Sequence, residues 1–344
     1  MPSVKRYFIL AILFPCLALI GLFVYFPTEL STIRDFFHDR GAMLAITLFA
    51  LWAVDISART LRLQCALKSI GTTAHFKNAM AISLISDFFA SVSPSRILAD
   101  PSKFYFLVKN GQTIKNSFLV LIVEMVGDIC FLLILFSLPL FFDVWGMVGA
   151  SEMSNGYLRY GLILALGISI VMSLGPLIYF IILVLPVKGL LKQSLVMSML
   201  RKLKLDDQKM HDAIHDIGHA MSHIRTLKKK PIVGVIVLTC VFRLARLSVL
   251  VVILRGIALP AISAGLYFWQ FICINSLIVF PLPAGGGAVE GGLMVFLKNV
   301  VELKDSFIPI VLLTWQFFIS YGFSILGGVI LYYSSLKKLK RGTV

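Results

Sequence analysis

The chain runs apolar over residues 7–26, 41–66, 117–142, 158–185, 231–254 and 306–334, with few charges in each run. A helix needs about 20 such residues to cross the ~30 Å hydrocarbon core of a bilayer. No water is available there, so each backbone N–H and C=O must be satisfied within the protein. Continuous runs of this length therefore predict helices. The expected fold is all-α: a polytopic integral membrane bundle with roughly seven to nine membrane segments, forming one membrane domain over 1–344. Only 14% of residues are charged and 58% are hydrophobic. Soluble domains carry about 25% charged residues, so a large soluble enzyme is excluded.

The net charge of +15 does not point to nucleic acid, because its placement follows the apolar runs. Lys5 and Arg6 precede the first run, and Lys337, Lys338, Lys340 and Arg341 follow the last. Residues 186–230 hold ten Lys/Arg against four Asp. The positive-inside rule then puts both termini and the 186–230 loop in the cytoplasm, in a plasma membrane. The first run is too long for a signal-peptide core and no small-residue cleavage site follows it, so it reads as a membrane helix. Cys16, Cys65, Cys130, Cys240 and Cys273 form no Cys-x-x-Cys pair and imply neither disulfide nor metal.

Within this frame the sequence 281–298, PLPAGGGAVEGGLMVFLK, stands out. Pro283 ends one helix and can start another. Gly285, Gly286 and Gly287 permit close backbone approach and leave N–H groups open at a helix start. Glu290 places a carboxyl in an apolar segment. From Pro283 to Lys298 a helix is about 22 Å long, too short to span. A broken half-helix at membrane depth must line a cavity or be buried in protein. This predicts a re-entrant hairpin over about 271–300.

Residues 78–110 repeat the theme. An apolar run with Asp87 breaks at Ser93-Pro94 and continues as SRILADPSKFYFLVKN. With Pro94 set on Pro283, Lys109 falls on Lys298 and Asn110 on Asn299, while Asp100 and Glu290 fall one position apart. Two unrelated helix breaks would give such a match, and so would an inverted repeat. Paired broken segments in the two halves of a transporter-like chain point to a binding site.

Several charges lie inside the apolar runs. Glu124 and Asp128 are four apart on one helical face and would repel each other in lipid. Either one is protonated, or a cation reaches them; Arg96, Lys103, Arg243 and Arg246 are the candidates. Asp55 and Arg59 are also four apart. Together with Arg62 they read either as a positive-inside anchor at the inner end of 41–66 or as an internal pair. His211, His215, His219 and His223 repeat every fourth residue, yet the outer two would be about 18 Å apart on a helix and cannot share one metal. With Asp212 and Asp216 between them they read as the wet face of a surface helix, and no metal or cofactor is expected.

The 281–290 segment resembles the proline, glycine-rich and acidic signature of the lysylphosphatidylglycerol synthase transmembrane region family. That is the flippase-like membrane half of multiple peptide resistance factor, found also as free-standing bacterial and archaeal proteins. Glu124 and Asp128 are similar to that family's acidic pair, and 94–103 resembles its first broken hairpin. Departures are Ala99 where glycine is usual, Lys103 where arginine is common and Met125 in place of a frequent arginine. The resemblance implies two re-entrant hairpins and a membrane domain that handles lipids or lipid-linked groups. No aminoacyl-transferase domain is recognisable, so lipid lysylation is not expected.

An amphiphilic anion needs cations and open N–H groups for its headgroup. The expected substrate is thus an anionic phospholipid or a polyprenyl-phosphate or isoprenoid-linked lipid. Its expected site is Arg96, Asp100, Lys103, Glu124, Asp128, Arg243, Arg246, Pro283, Gly285, Gly286, Gly287 and Glu290. Enzyme motifs are missing: there is no His-Glu-x-x-His, and the glycine run lacks the Gly-Lys-Ser/Thr of a P-loop. The competing readings are a non-transporting scaffold for a lipid- or glycan-modifying enzyme and a membrane glycosyltransferase using Glu29, Asp35 and Asp39. A homo-oligomer or a lipid-modifying enzyme partner is compatible with either.

Overall fold

A computed structural model describes residues 41–93, 96–141, 167–168, 170, 227–257, 264–277, 288–299 and 301–341. Every regular element among them is helical. The elements are α1 (Gly41–Ser69), α2 (Phe76–Val92), α3 (Ala99–Lys109), α4 (Ile114–Phe141), α5 (Lys229–Gly256), α6 (Ala264–Leu277), α7 (Ala288–Asn299), α8 (Ile308–Gln316) and α9 (Gly322–Arg341). A 3₁₀ turn, Asp305–Phe307, leads into α8, and a π turn, Phe317–Tyr321, joins α8 to α9. Four stretches are long and apolar enough to cross a membrane: Gly41–Ser69, Ile114–Ser137, Lys229–Gly256 and Asp305–Ser334. The chain is a helical membrane bundle. The run at 7–26, nearly all of the run at 158–185 and of the 186–230 loop with its histidine row, and Pro94, Pro283, Gly285, Gly286 and Gly287 lie outside the described residues.

Both predicted breaks fall between paired short helices. α3 has 11 residues and α7 has 12, which is about 16–18 Å of helix, and neither could span. α2 packs on α3, and α6 on α7. The two hairpins also end alike. Asn110 Nδ2 donates to the Phe106 carbonyl at 2.7 Å, and Asn299 Nδ2 to the Val295 carbonyl at 2.8 Å. Each helix thus closes one of its orphan carbonyls with an asparagine amide, with a lysine beside it in the last turn where the helix dipole favours a cation. These are the residues that the Pro94–Pro283 register pairs.

α1 and α5 run antiparallel along their full length. At one end the Lys228 N–H donates to the Ser69 carbonyl at 3.1 Å. At the other end Gly256 lies against Leu44, and between the ends Gly234 lies against Cys65 Sγ. In lipid no hydrophobic drive holds two apolar helices together, so small residues that let backbones approach do this work. Gly127 brings α4 onto Thr239 and Val235 of α5, and Gly327 brings α9 onto the Leu84 carbonyl of α2.

The apolar core is split in two. One core joins Leu44 and Leu48 of α1, Phe131 and Leu135 of α4, residues 247–254 of α5, and the α6–α7 hairpin with α8. The other joins Leu63, Ala66 and Leu67 of α1, Val120 and Val123 of α4, Val235 of α5, and the α2–α3 hairpin. Each hairpin therefore seats in its own core, at opposite ends of the α1–α5 pair. Between the cores lie residues 55–62 of α1, 124–128 of α4 and 243–246 of α5. These stretches carry Asp55, Arg59, Arg62, Glu124, Asp128, Arg243 and Arg246.

Candidate functional site: a layer of charge between two cores

In α5, Arg243 and Arg246 are one turn apart, and α1 places Arg59 and Arg62 at the same spacing on the facing helix. Because the helices are antiparallel, the four guanidiniums pair across them around shared acids. Arg59 Nε and Arg246 Nε both meet Asp55, at 2.7 and 2.8 Å. Arg62 Nη2 and Arg243 Nη2 both meet Asp128, at 2.6 and 2.9 Å. Each pair also shares an aromatic face. Arg59 and Arg246 lie over Phe323, at 4.2 and 5.1 Å from its centroid. Arg62 and Arg243 lie over Phe242, at 5.3 and 5.2 Å. The ring quadrupole offers a cation electrostatic attraction that lipid does not.

The first hairpin adds a further acid and two cations. Asp87 of α2 takes a short contact from Arg59 and faces Arg96 Nη2 at 3.8 Å. Lys103 of α3 reaches Glu124 at 2.8 Å. Arg62 ties this corner together: it donates to the Glu124 carbonyl at 2.6 Å and faces the Glu124 carboxylate at 3.8 Å. Asp55, Arg62 and Glu124 are all buried. Two connected sets result, Arg246–Asp55–Arg59–Asp87–Arg96 and Lys103–Glu124–Arg62–Asp128–Arg243.

The hairpin tip fixes Arg96. Its φ is +59°, a left-handed conformation that costs a side chain with a Cβ about 1–3 kcal/mol. The tip holds it there with bonds on both sides. The Arg96 N–H donates to the Ser93 carbonyl at 3.3 Å and the Ala99 N–H to the Arg96 carbonyl at 3.1 Å. Ser93 Oγ accepts from the Leu98 N–H at 3.1 Å, and Ser86 Oγ donates to the Ala99 carbonyl at 2.6 Å.

Three corrections to the sequence reading follow. Asp55, Arg59 and Arg62 are no inner-end anchor; they form the centre of the charge layer. Arg96 does not face Glu124, whose cations are Lys103 and Arg62. Asp100 opens α3 exposed and makes no ion pair with either set, although it lies close enough to Lys103, Glu124, Asp128 and Arg62 to feel their charges. Glu290 is buried in the first turn of α7, on the second hairpin. Its Oε1 accepts from Gln316 Nε2 at 2.8 Å and from the Tyr321 hydroxyl at 3.4 Å. Gln316 and Tyr321 flank the π turn that leads to Phe323, so α8 and α9 carry both the Glu290 contacts and the ring under Arg59 and Arg246. The site as described thus gains Asp55, Arg59, Arg62 and Asp87. One signal for the two arginines was present in the sequence: the i, i+3 arginine pair of α5 recurs in α1.

The sequence profile of the lysylphosphatidylglycerol synthase TM region family matches residues 8–327. The chain belongs to this family. No curated protein matches it in sequence. Membership in the lysylphosphatidylglycerol synthase TM region family makes this an integral membrane protein related to lipid flipping or lipid modification. The charge layer is what this member places at the depth of the bilayer. Asp55, Asp128, Arg243 and Arg246 sit about 14 to 17 residues, or 21–26 Å, along helices of 28 or 29 residues.

Among the described residues the two sets hold six cations, Arg59, Arg62, Arg96, Lys103, Arg243 and Arg246, against four acids, Asp55, Asp87, Glu124 and Asp128. Within the ion pairs the cations outnumber the acids by two, and Asp100, which makes no ion pair with either set, lies close enough to Lys103 and Arg62 to offset part of that surplus. Several N–H groups there are also buried without a hydrogen bond: Arg59 Nη2, Arg62 Nε and Arg243 Nε. Uncompensated charge is costly in a low-dielectric interior, and the arrangement is suited to an anion with several acceptor oxygens.

Proposed function

We propose that this protein binds an anionic lipid by its headgroup in the charge layer and moves it between the leaflets. The observation that carries this reading is the excess of cations over the acids they pair with, between two apolar cores at mid-depth in a membrane bundle. A headgroup would supply the missing negative charge, and its tails would stay in the bilayer while the headgroup crosses. Intramembrane ionisable groups that face a bundle interior mark substrate paths in membrane proteins generally. Two short-armed hairpins, one at each end of the α1–α5 pair, support alternating access from the two sides. An anionic phospholipid and a polyprenyl-phosphate lipid share the chemistry needed. The protein acts as a carrier rather than an enzyme, in a cytoplasmic membrane with both termini inside.

The test is reconstitution into vesicles of neutral lipid carrying a trace of fluorescent phosphatidylglycerol. The expected result is that dithionite quenches the inner-leaflet label faster than in protein-free vesicles. Saturable binding of the lipid with no such acceleration would favour the non-transporting scaffold and would refute movement.

A further inference from the structure

The six cations of the charge layer are not equivalent. Arg59, Arg62, Arg246 and Lys103 have side chains only 8–17% exposed, whereas Arg96 is 31% and Arg243 is 36% exposed. Each also shares its acid with a more buried arginine. Arg96 stands 3.8 Å from Asp87, beyond hydrogen-bond length, and Asp87 already holds Arg59. Arg243 has one oxygen of Asp128, whose other oxygen is taken by Arg62 at 2.6 Å. Arg243 Nε is buried without a hydrogen bond.

Either arginine can therefore leave without stranding its acid. Asp87 would keep Arg59, and Asp128 would keep Arg62. Losing Lys103 would instead leave Glu124 with Arg62 at 3.8 Å as its nearest cation. Arg96 also sits close enough to Arg246, Arg243 and Arg59 to feel their charges. Like charges crowded together in a partly desolvated layer favour any anion that enters between them.

On the reading that the layer takes an anionic lipid, we propose that Arg96 and Arg243 are the two cations that leave their acids to grip the lipid phosphate. Arg59, Arg62, Arg246 and Lys103 keep their acids and form the frame. The exchange is one of ion pairs: each guanidinium trades a shared carboxylate for phosphate oxygens, which its planar fork can meet with two N–H groups. It has a mechanical consequence, because the two arginines sit on different elements. Arg96 belongs to the first hairpin and Arg243 to α5. A bound phosphate would thus tie the hairpin tip to α5 and release the Arg243–Asp128 link from α5 to α4.

The test uses the full chain in detergent and two fluorescent probes with the same tails, a short-chain phosphatidic acid and a diacylglycerol that lacks the phosphate. The parent protein is expected to bind the phosphatidic acid at least about tenfold more tightly, as charge-assisted hydrogen bonds would give. Arg96→Gln and Arg243→Gln should each remove most of this preference while melting close to the parent. Arg96→Lys and Arg243→Lys should restore part of it, since charge returns without the fork. Variants Arg96→Gln and Arg243→Gln that keep the full preference would overturn the assignment of these two residues and leave the anionic-lipid reading intact. A parent protein with no preference would overturn that reading itself. Inorganic phosphate at high concentration should leave the lipid bound; complete displacement by it would point to a soluble phosphate ligand and contradict the lipid assignment.

Discussion

Arg62 joins three partners from two helices. It takes an Asp128 oxygen and the Glu124 carbonyl, faces the Glu124 carboxylate, and covers Phe242. Arg62→Gln should therefore cost about 3–5 kcal/mol, the usual penalty for breaking a buried pair from one side. It would appear as a large drop in thermal stability in detergent. Partner assignments can be separated by double changes. Lys103→Gln combined with Glu124→Gln should cost less than the two single changes summed, because the residues meet at 2.8 Å. Arg96→Gln combined with Glu124→Gln should be additive, and a clear coupling between them would contradict the geometry. Glu290→Gln preserves an acceptor for Gln316 Nε2 and the Tyr321 hydroxyl, so it should fold and bind lipid yet fail to move it; parental translocation would make the carboxyl structural. Glu124, Asp128, Arg243 and Arg246 were legible as a site because their spacing puts each pair on one helical face inside an apolar run. Asp55, Arg59 and Arg62 were ambiguous, because they lie close to the expected inner end of their run. What buries them is the hairpin, α4 and α5, which come from distant parts of the chain, and no local spacing encodes that cover.

At the scale of elements, glycine sets which helices touch. A Cβ on Gly327 would stand 2.0 Å from the Leu84 carbonyl and 3.0 Å from Phe88 Cβ. Backbone cannot yield as a side-chain tip can, so Gly327→Ala should separate α9 from α2 and strongly lower the melting temperature. Gly291→Ala, where nothing lies within 4 Å, should leave stability unchanged or slightly higher, since alanine favours helix. Equal effects of the two changes would refute the close α2–α9 crossing. Helix positions were readable from apolar length: the run at 231–254 became Lys229–Gly256, and that at 117–142 became Ile114–Phe141. The first hairpin was readable from Ser93-Pro94. The π turn Phe317–Tyr321 was not, since no proline or glycine marks it within the segment FFISY. A π turn widens the helix by one residue and shifts the faces that follow, and here it lets Tyr321 reach Glu290 while Phe323 lies under Arg59 and Arg246. Tertiary contacts of that kind leave no periodic signal.

In the molecule as a whole, a polar layer separates two apolar cores, and each core holds one hairpin. If α4, the apolar run 158–185 and α5 each cross the bilayer, the two hairpins open to opposite faces. The matching ends Asn110 and Asn299 should then label from opposite sides. In a cysteine-free background, Asn110→Cys and Asn299→Cys are each expected to react with a membrane-impermeant maleimide from one side only, and not the same side. Reaction from the same side would remove the inverted arrangement. The division into two cores was not legible in the sequence, because apolar residues look alike whichever core they join; only the matching register of the hairpins hinted at two halves. The central claim is that the charge layer holds the headgroup of an anionic lipid, and native mass spectrometry of protein extracted gently from its membrane tests it most directly. Stoichiometric anionic lipid on the parent protein, lost in an Arg96→Gln, Arg243→Gln double variant that still folds, is the predicted result. A parent protein that carries only neutral or zwitterionic lipid, or none, would contradict the claim.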